Sequence, residues 1–147
     1  RTFEAAAFLK RSGADVTRVR KMFREDAADY LAKAEAIHNA EIYENYYAIS
    51  ECDSANTASP TLVCAQAAND LLNIKGIKAS FVLTVYNNLI YISARSMDEV
   101  NVQTIMEKLG GGGHRSVAGA QIKEGSIEDA KNRVKQVLKE LIERGEL

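Results

Sequence analysis

Residues 79–95 read ASFVLTVYNNLIYISAR. Two runs rich in aromatic and β-branched residues, Ala79 to Tyr86 and Leu89 to Arg95, are separated only by Asn87-Asn88. Such runs favour extended backbone, because branched and aromatic side chains fit a pleated, half-buried surface. Asparagine tolerates the positive φ that a two-residue hairpin turn demands. The stretch predicts an antiparallel hairpin, and the rest of the chain is organised around it.

Upstream, Tyr46 to Cys52 is another strand candidate, and Ser59-Pro60 opens a helix with proline where its missing N–H does no harm. That helix carries Leu62, Val63, Ala67, Leu71 and Leu72 toward Gly76. Downstream, Asn101 caps a short helix with Val102, Ile105, Met106 and Leu109 inward, and a strand follows near Ala120 to Lys123. Ser126 and Asp129 stand in capping-box spacing ahead of a last helix whose buried stripe is Ala130, Val134, Val137, Leu138 and Leu141. This order of elements predicts an α/β fold, a mixed β-sheet flanked by helices.

The first 45 residues read differently. Thr2 is the expected cap of a helix ending near Ser12-Gly13, Asp15 of a second, and Asp26 of a third whose apolar positions run from Ala27 to Ile42. Residues 1–45 are expected to be the tail of a larger domain plus a helical connector, and 46–147 a domain of their own.

Bulk properties narrow the function. The chain has 147 residues, 46% of them hydrophobic and 27% charged, with a formal net charge of -1. No global positive field draws it to nucleic acid or an anionic membrane, so an anionic partner has to be held locally. Cys52 and Cys64 are too few for a disulfide framework or a zinc site and read as buried thiols. No apolar run is long enough to span a bilayer.

The sharpest local feature is Gly110-Gly111-Gly112-Gly113-His114. One glycine would end the preceding helix. Four suggest backbone N–H groups crowding around an anion as a nest, with His114 adding a side-chain donor. Ser93-Ala94-Arg95-Ser96, at a strand exit just upstream, offers a guanidinium that forks onto phosphate. His38, in the connector, reads as structural or exposed.

These two segments, with Val100-Asn101-Val102 and Ala118-Gly119-Ala120, resemble the DHH-associated domain of the DHH phosphoesterase superfamily over roughly Tyr46 to the C-terminus. Ser93 to Ser96 with Val100 to His114 is most similar to the cyclic-di-AMP phosphodiesterases, membrane-anchored bacterial enzymes with a degenerate GGDEF domain ahead of the DHH domain. The opening Arg1 to Ala6 looks like the end of that DHH domain. After His114 the chain reads Arg115-Ser116-Val117-Ala118-Gly119, where many cyclic-di-AMP members read Leu-Thr-Asn-Ala-Ala. The Ala-Gly ending is similar to the oligoribonuclease and RecJ-like branches.

The resemblance implies substrate phosphate contacts at Arg95, Gly111, Gly112, Gly113 and His114, with Ser96 weaker, and a cyclic dinucleotide or short oligonucleotide as ligand. It implies manganese in the DHH domain of the same parent chain, no catalytic or metal-binding residue in this chain, and an inactive fragment. It further implies a parent anchored in the bacterial membrane with this part on the cytoplasmic face, and leaves a homodimer open. An RNA-binding module of the kind that closes alanyl-tRNA synthetases is the alternative. It expects clustered Lys and Arg, whereas basic and acidic residues alternate along the last helix.

Overall fold

The computed structural model describes residues 1–97 and 99–147. The hairpin forms as expected and lies at the centre of the sheet. Strands β3 (Ala79–Tyr86) and β4 (Leu89–Ser96) pair antiparallel from Ala79↔Ser96 to Tyr86↔Leu89. Asn87 and Asn88 turn the chain at φ 50° and 60°. Strand β2 (Tyr47–Glu51) runs parallel to β3, with helix α4 (Pro60–Leu71) as the connection. Strand β6 (Val117–Ile122) pairs antiparallel with the other side of β4. Two short strands close the edges, β1 (Glu41–Tyr43) and β5 (Gly112–Gly113), in the order β1-β2-β3-β4-β6-β5.

Strand alternation divides the sheet into two faces. On one, Phe81, Leu83, Ile90, Ile92 and Ala94 join Ala118, Ala120 and Ile122. They are covered by Val102, Ile105 and Met106 of α5 (Val102–Lys108) and by Ala130, Val134, Leu138 and Leu141 of α6 (Ile127–Glu143). On the other, Ala48 and Val82 pack under Val63, Cys64, Ala67 and Leu71 of α4, backed by Ala36 of α3 (Ala27–His38). Hydroxyls on this second face have partners: Ser80 donates to the Ala68 carbonyl at 2.6 Å, and Ser50 donates to that of Ala36. A buried hydroxyl without a partner would cost its desolvation in full, so serine is tolerated here only because a helix carbonyl lies above it. Cys52 and Cys64 are both buried. Burial pushes their thiols up to about 11 and about 12, which leaves them protonated and inert.

Three expectations need correction. The apolar spacing carried the third helix to Ile42, but α3 ends at His38 and Ile42 lies in β1, paired with Ala48. Thr2 is the first residue of α1 (Thr2–Arg11) rather than its cap, which is Arg1. The last strand begins at Val117, because Ala118 and Gly119 take their conformation from pairing with β4 and have no strand propensity of their own. Helices α1 and α2 (Val16–Met22) contain no buried residue, and Phe3, Met22 and Phe23 are 90%, 81% and 80% exposed.

Helix α6 is anchored at its start by reciprocal bonds. The Asp129 N–H donates to Ser126 Oγ at 3.1 Å, and the Ser126 N–H donates to the Asp129 carboxylate at 2.9 Å. Ion pairs Lys131–Glu51 at 3.1 Å and Lys135–Glu41 at 2.8 Å tie the helix to β2 and β1. Replacing Ser126 with Ala removes one half of the box and is expected to cost about 1 kcal/mol. Urea unfolding should show a lower midpoint with an unchanged slope.

Candidate functional site

Where α5 ends, the chain needs two carbonyls satisfied and a sharp reversal. Gly110, at φ 80°, donates its N–H to the Glu107 carbonyl at 3.0 Å, and the Gly111 N–H donates to Met106 at 2.8 Å. This is the paired closure of a helix by a left-handed glycine. The expected nest over Gly111 to Gly113 is corrected at its first member, because the Gly111 N–H is spent on the helix.

The next residues run along β6. Gly112 is in register with Gly119 and Gly113 with Ala118, and the His114 N–H donates to the Val117 carbonyl at 2.7 Å. In an antiparallel ladder hydrogen-bonded pairs alternate, so Gly112–Gly119 is bonded and Gly113 turns its N–H to the open edge. The glycines are required for different reasons. A Cβ on Gly111 would lie 2.1 Å from the Gly119 carbonyl oxygen, and one on Gly113 2.5 Å from that of Val117, at a φ of 146°. At Gly112 a Cβ would meet nothing within 4 Å. Neither backbone strain nor packing explains glycine there.

Register brings the separate parts together on the α4 face. Arg95 pairs with Val117, which His114 follows on the next strand over, making one cross-strand row about 10 Å from Arg95 to His114. The adjoining row is Ser93, Gly119 and Gly112, a floor almost free of side chains. The third row is Tyr91 with Gln121. Arg95 is half-buried, and its Nη1 donates to the carbonyls of Ala94 at 2.8 Å and Ala118 at 3.4 Å. Burial lowers its pKa. The His114 ring is exposed. Ser96 is not brought into this group. It sits on the opposite face, buried, with its hydroxyl donating to the Val100 carbonyl at 2.6 Å.

Beside the floor lies a cleft of about 330 Å³, lined by Thr61, Tyr91, Ser93 and Gln121 and by the backbone of Gly110, Gly111 and Gly119. Thr61 comes from the first turn of α4. Arg95 and His114 are not among its lining residues; they adjoin it across the floor. Sequence reasoning singled out neither Tyr91 nor Gln121. The available signal was the two-residue period of β4, which places Ser93 and Tyr91 on the same face as Arg95.

Residues 45–140 match the DHHA1 domain family. The chain belongs to that family. It is 40% identical over 146 residues to the cyclic-di-AMP phosphodiesterase GdpP of Geobacillus thermodenitrificans, covering 99% of this chain and 22% of that protein. It is 41% identical over 135 residues to the cyclic-di-AMP phosphodiesterase PdeA of Listeria monocytogenes, covering 91% and 20%. An exopolyphosphatase-related protein from Bacteroides fragilis has the same fold, with a TM-score of 0.81 at 20% identity over 95% of this chain and 43% of that one. The chain thus spans about a fifth of the length of these curated relatives.

Among the described residues of this DHHA1 domain, no group of His, Cys, Asp and Glu side chains is arranged to hold a metal ion. No helix among them is long and apolar enough to cross a membrane.

The glycine geometry makes a clean test of fold against site. Gly111→Ala should lower the melting temperature markedly, because backbone has to move to admit the Cβ. Gly112→Ala should leave it unchanged or raise it slightly, since removing glycine where φ permits stabilises by up to ~1 kcal/mol. Thermal melts of the two variants side by side make the comparison.

Proposed function

We propose that this DHHA1 domain grips the substrate of a phosphodiesterase that hydrolyses cyclic di-AMP to linear pApA. The observation that carries the reading is the three-row arrangement. A guanidinium and an imidazole flank a floor made of Ser93, Gly119 and Gly112, where an anion can approach backbone closely. The substrate is taken from the similar proteins named above.

Hydrolysis belongs, in this reading, to a DHH domain of the same parent protein. Two divalent ions held there, manganese in our reading, would supply the Lewis acidity for cleavage. This chain positions the phosphate and contributes no metal ligand. The bare apolar faces of α1 and α2, with Phe3, Phe8, Leu9, Met22 and Phe23, would lie against that domain, because exposed apolar surface of this extent marks a contact. A second copy of the protein is the other candidate for that contact. We further propose that the parent is anchored in the bacterial membrane, with this domain on the cytoplasmic face.

The RNA-module alternative is not favoured. Two of the cations on α6, Lys131 and Lys135, are spent on Glu51 and Glu41, and the helix offers no clustered positive stripe.

The test is steady-state kinetics of the full-length protein. Arg95→Ala and His114→Ala each remove donors to a charged group, an interaction worth ~1.5–3 kcal/mol, so kcat/KM should fall roughly tenfold to a hundredfold. If the contacts are equal in ground and transition states, the loss appears in KM with kcat nearly constant. Wild-type kinetics for both variants would remove the phosphate site. Turnover of cyclic di-AMP by the isolated 147-residue chain with added manganese would overturn the division of labour.

A further inference from the structure

The cleft beside the floor has a chemical character that phosphate binding leaves unused. Beside Ser93 of the floor, three further polar side chains line it, the hydroxyls of Thr61 and Tyr91 and the amide of Gln121. None of the three makes a side-chain hydrogen bond among the described residues. Tyr91 is half-buried, and its ring lies 6.1 Å from that of Tyr86 at 51°, so two aromatic rings stand together at the end of the hairpin. Gln121 is directly opposite Tyr91 on β6 and exposed. An aromatic face with a free amide beside it is the chemistry that receives a nucleobase, the ring by stacking and the amide by reading an edge.

Position along the strands fits the same ligand. Tyr91 and Arg95 are four residues apart on one face of β4, about 13 Å along the strand, with the small-residue floor between them. A nucleotide whose phosphate meets Arg95 and His114 can cross Ser93 and Gly119 with its sugar and deliver its base to Tyr91 and Gln121. The volume of about 330 Å³ lies at the small end of the range for ligand pockets.

The amide also selects between bases. A carboxamide offers one donor face and one acceptor, and adenine presents a complementary pair in N7 and the N6 amino group. Guanine presents two acceptors, N7 and O6, on the same edge, and a carboxamide cannot satisfy both. We infer that Tyr91 and Gln121 form a nucleobase subsite, in which Tyr91 stacks on the base and Gln121 selects adenine over guanine. The inference rests on the phosphate reading of Arg95 and His114 and extends it to specificity.

The experiment compares dissociation constants for cyclic di-AMP and cyclic di-GMP in the full-length protein, with thermal melts to confirm folding. Gln121→Ala should weaken cyclic di-AMP and leave cyclic di-GMP nearly unchanged, reducing the preference about tenfold. Gln121→Arg, whose fork matches guanine N7 and O6, should move the preference further in the same direction. Tyr91→Ala should weaken both ligands, and Tyr91→Phe should restore both. A preference unchanged in both Gln121 variants overturns the inference. Arg95→Ala separates this from the underlying reading: it should weaken both ligands equally, and no effect there would remove the phosphate site while the Gln121 ratio is read independently.

Discussion

The site depends on a contact between two backbones. The chain leaving α5 passes so close to β6 that a Cβ on Gly111 or Gly113 would overlap the Gly119 or Val117 carbonyl. Because neither residue has one, Gly112 and Gly113 add to the sheet as an edge strand, and His114 lands one strand from Val117 and two from Arg95. Any side chain at either glycine would push this strand off, and His114 with it. Close approach of backbone is the service that glycine supplies at such a crossing.

Hydrogen-bond accounting then sets what the crossing can offer a ligand. Met106 takes the Gly111 N–H, and Val117 takes that of His114. The backbone contribution open to a ligand is therefore concentrated at the edge-facing N–H of Gly113, and in the proposed site the guanidinium and imidazole would do more of the recognition than a full nest would require. This moves the expected binding energy from oriented peptide dipoles to two charge-assisted side-chain bonds.

The two faces of the sheet are unequal for a simple reason. Helices α5 and α6 seal one with a continuous apolar cluster. On the other, α4 packs over β3 and β4, and its first turn places Thr61 on the rim of the cleft. Beyond that point β6 and β5 present Gly119, Gly112 and Gln121 on the uncovered face. A concave surface forms where helix cover stops and side chains become small, and the residues that define it come from α4, β4, β6 and the glycine run.

Local physics made much of this protein legible in its sequence. The two asparagines could form a tight turn, Ser126 and Asp129 a capping box, and the stripes on α5 and α6 a buried face, because each depends on neighbours within a few residues. The glycine run and Arg95 were recognisable as candidates on the same grounds. What the tertiary structure alone decided was pairing. Strands β1 and β5 exist because they fold back on β2 and β6, a few residues further on, whose own places in the sheet are fixed by the central hairpin; Gly112 carries no strand propensity, and the β-branched Ile42 also fits the helical spacing that runs before it. Pairing also turned Ser96 inward to Val100 while leaving Arg95 outward, since adjacent residues of a strand face opposite ways. Tyr91 and Gln121, 30 positions apart, became neighbours through register, and register is a property of the assembled sheet that no single segment contains.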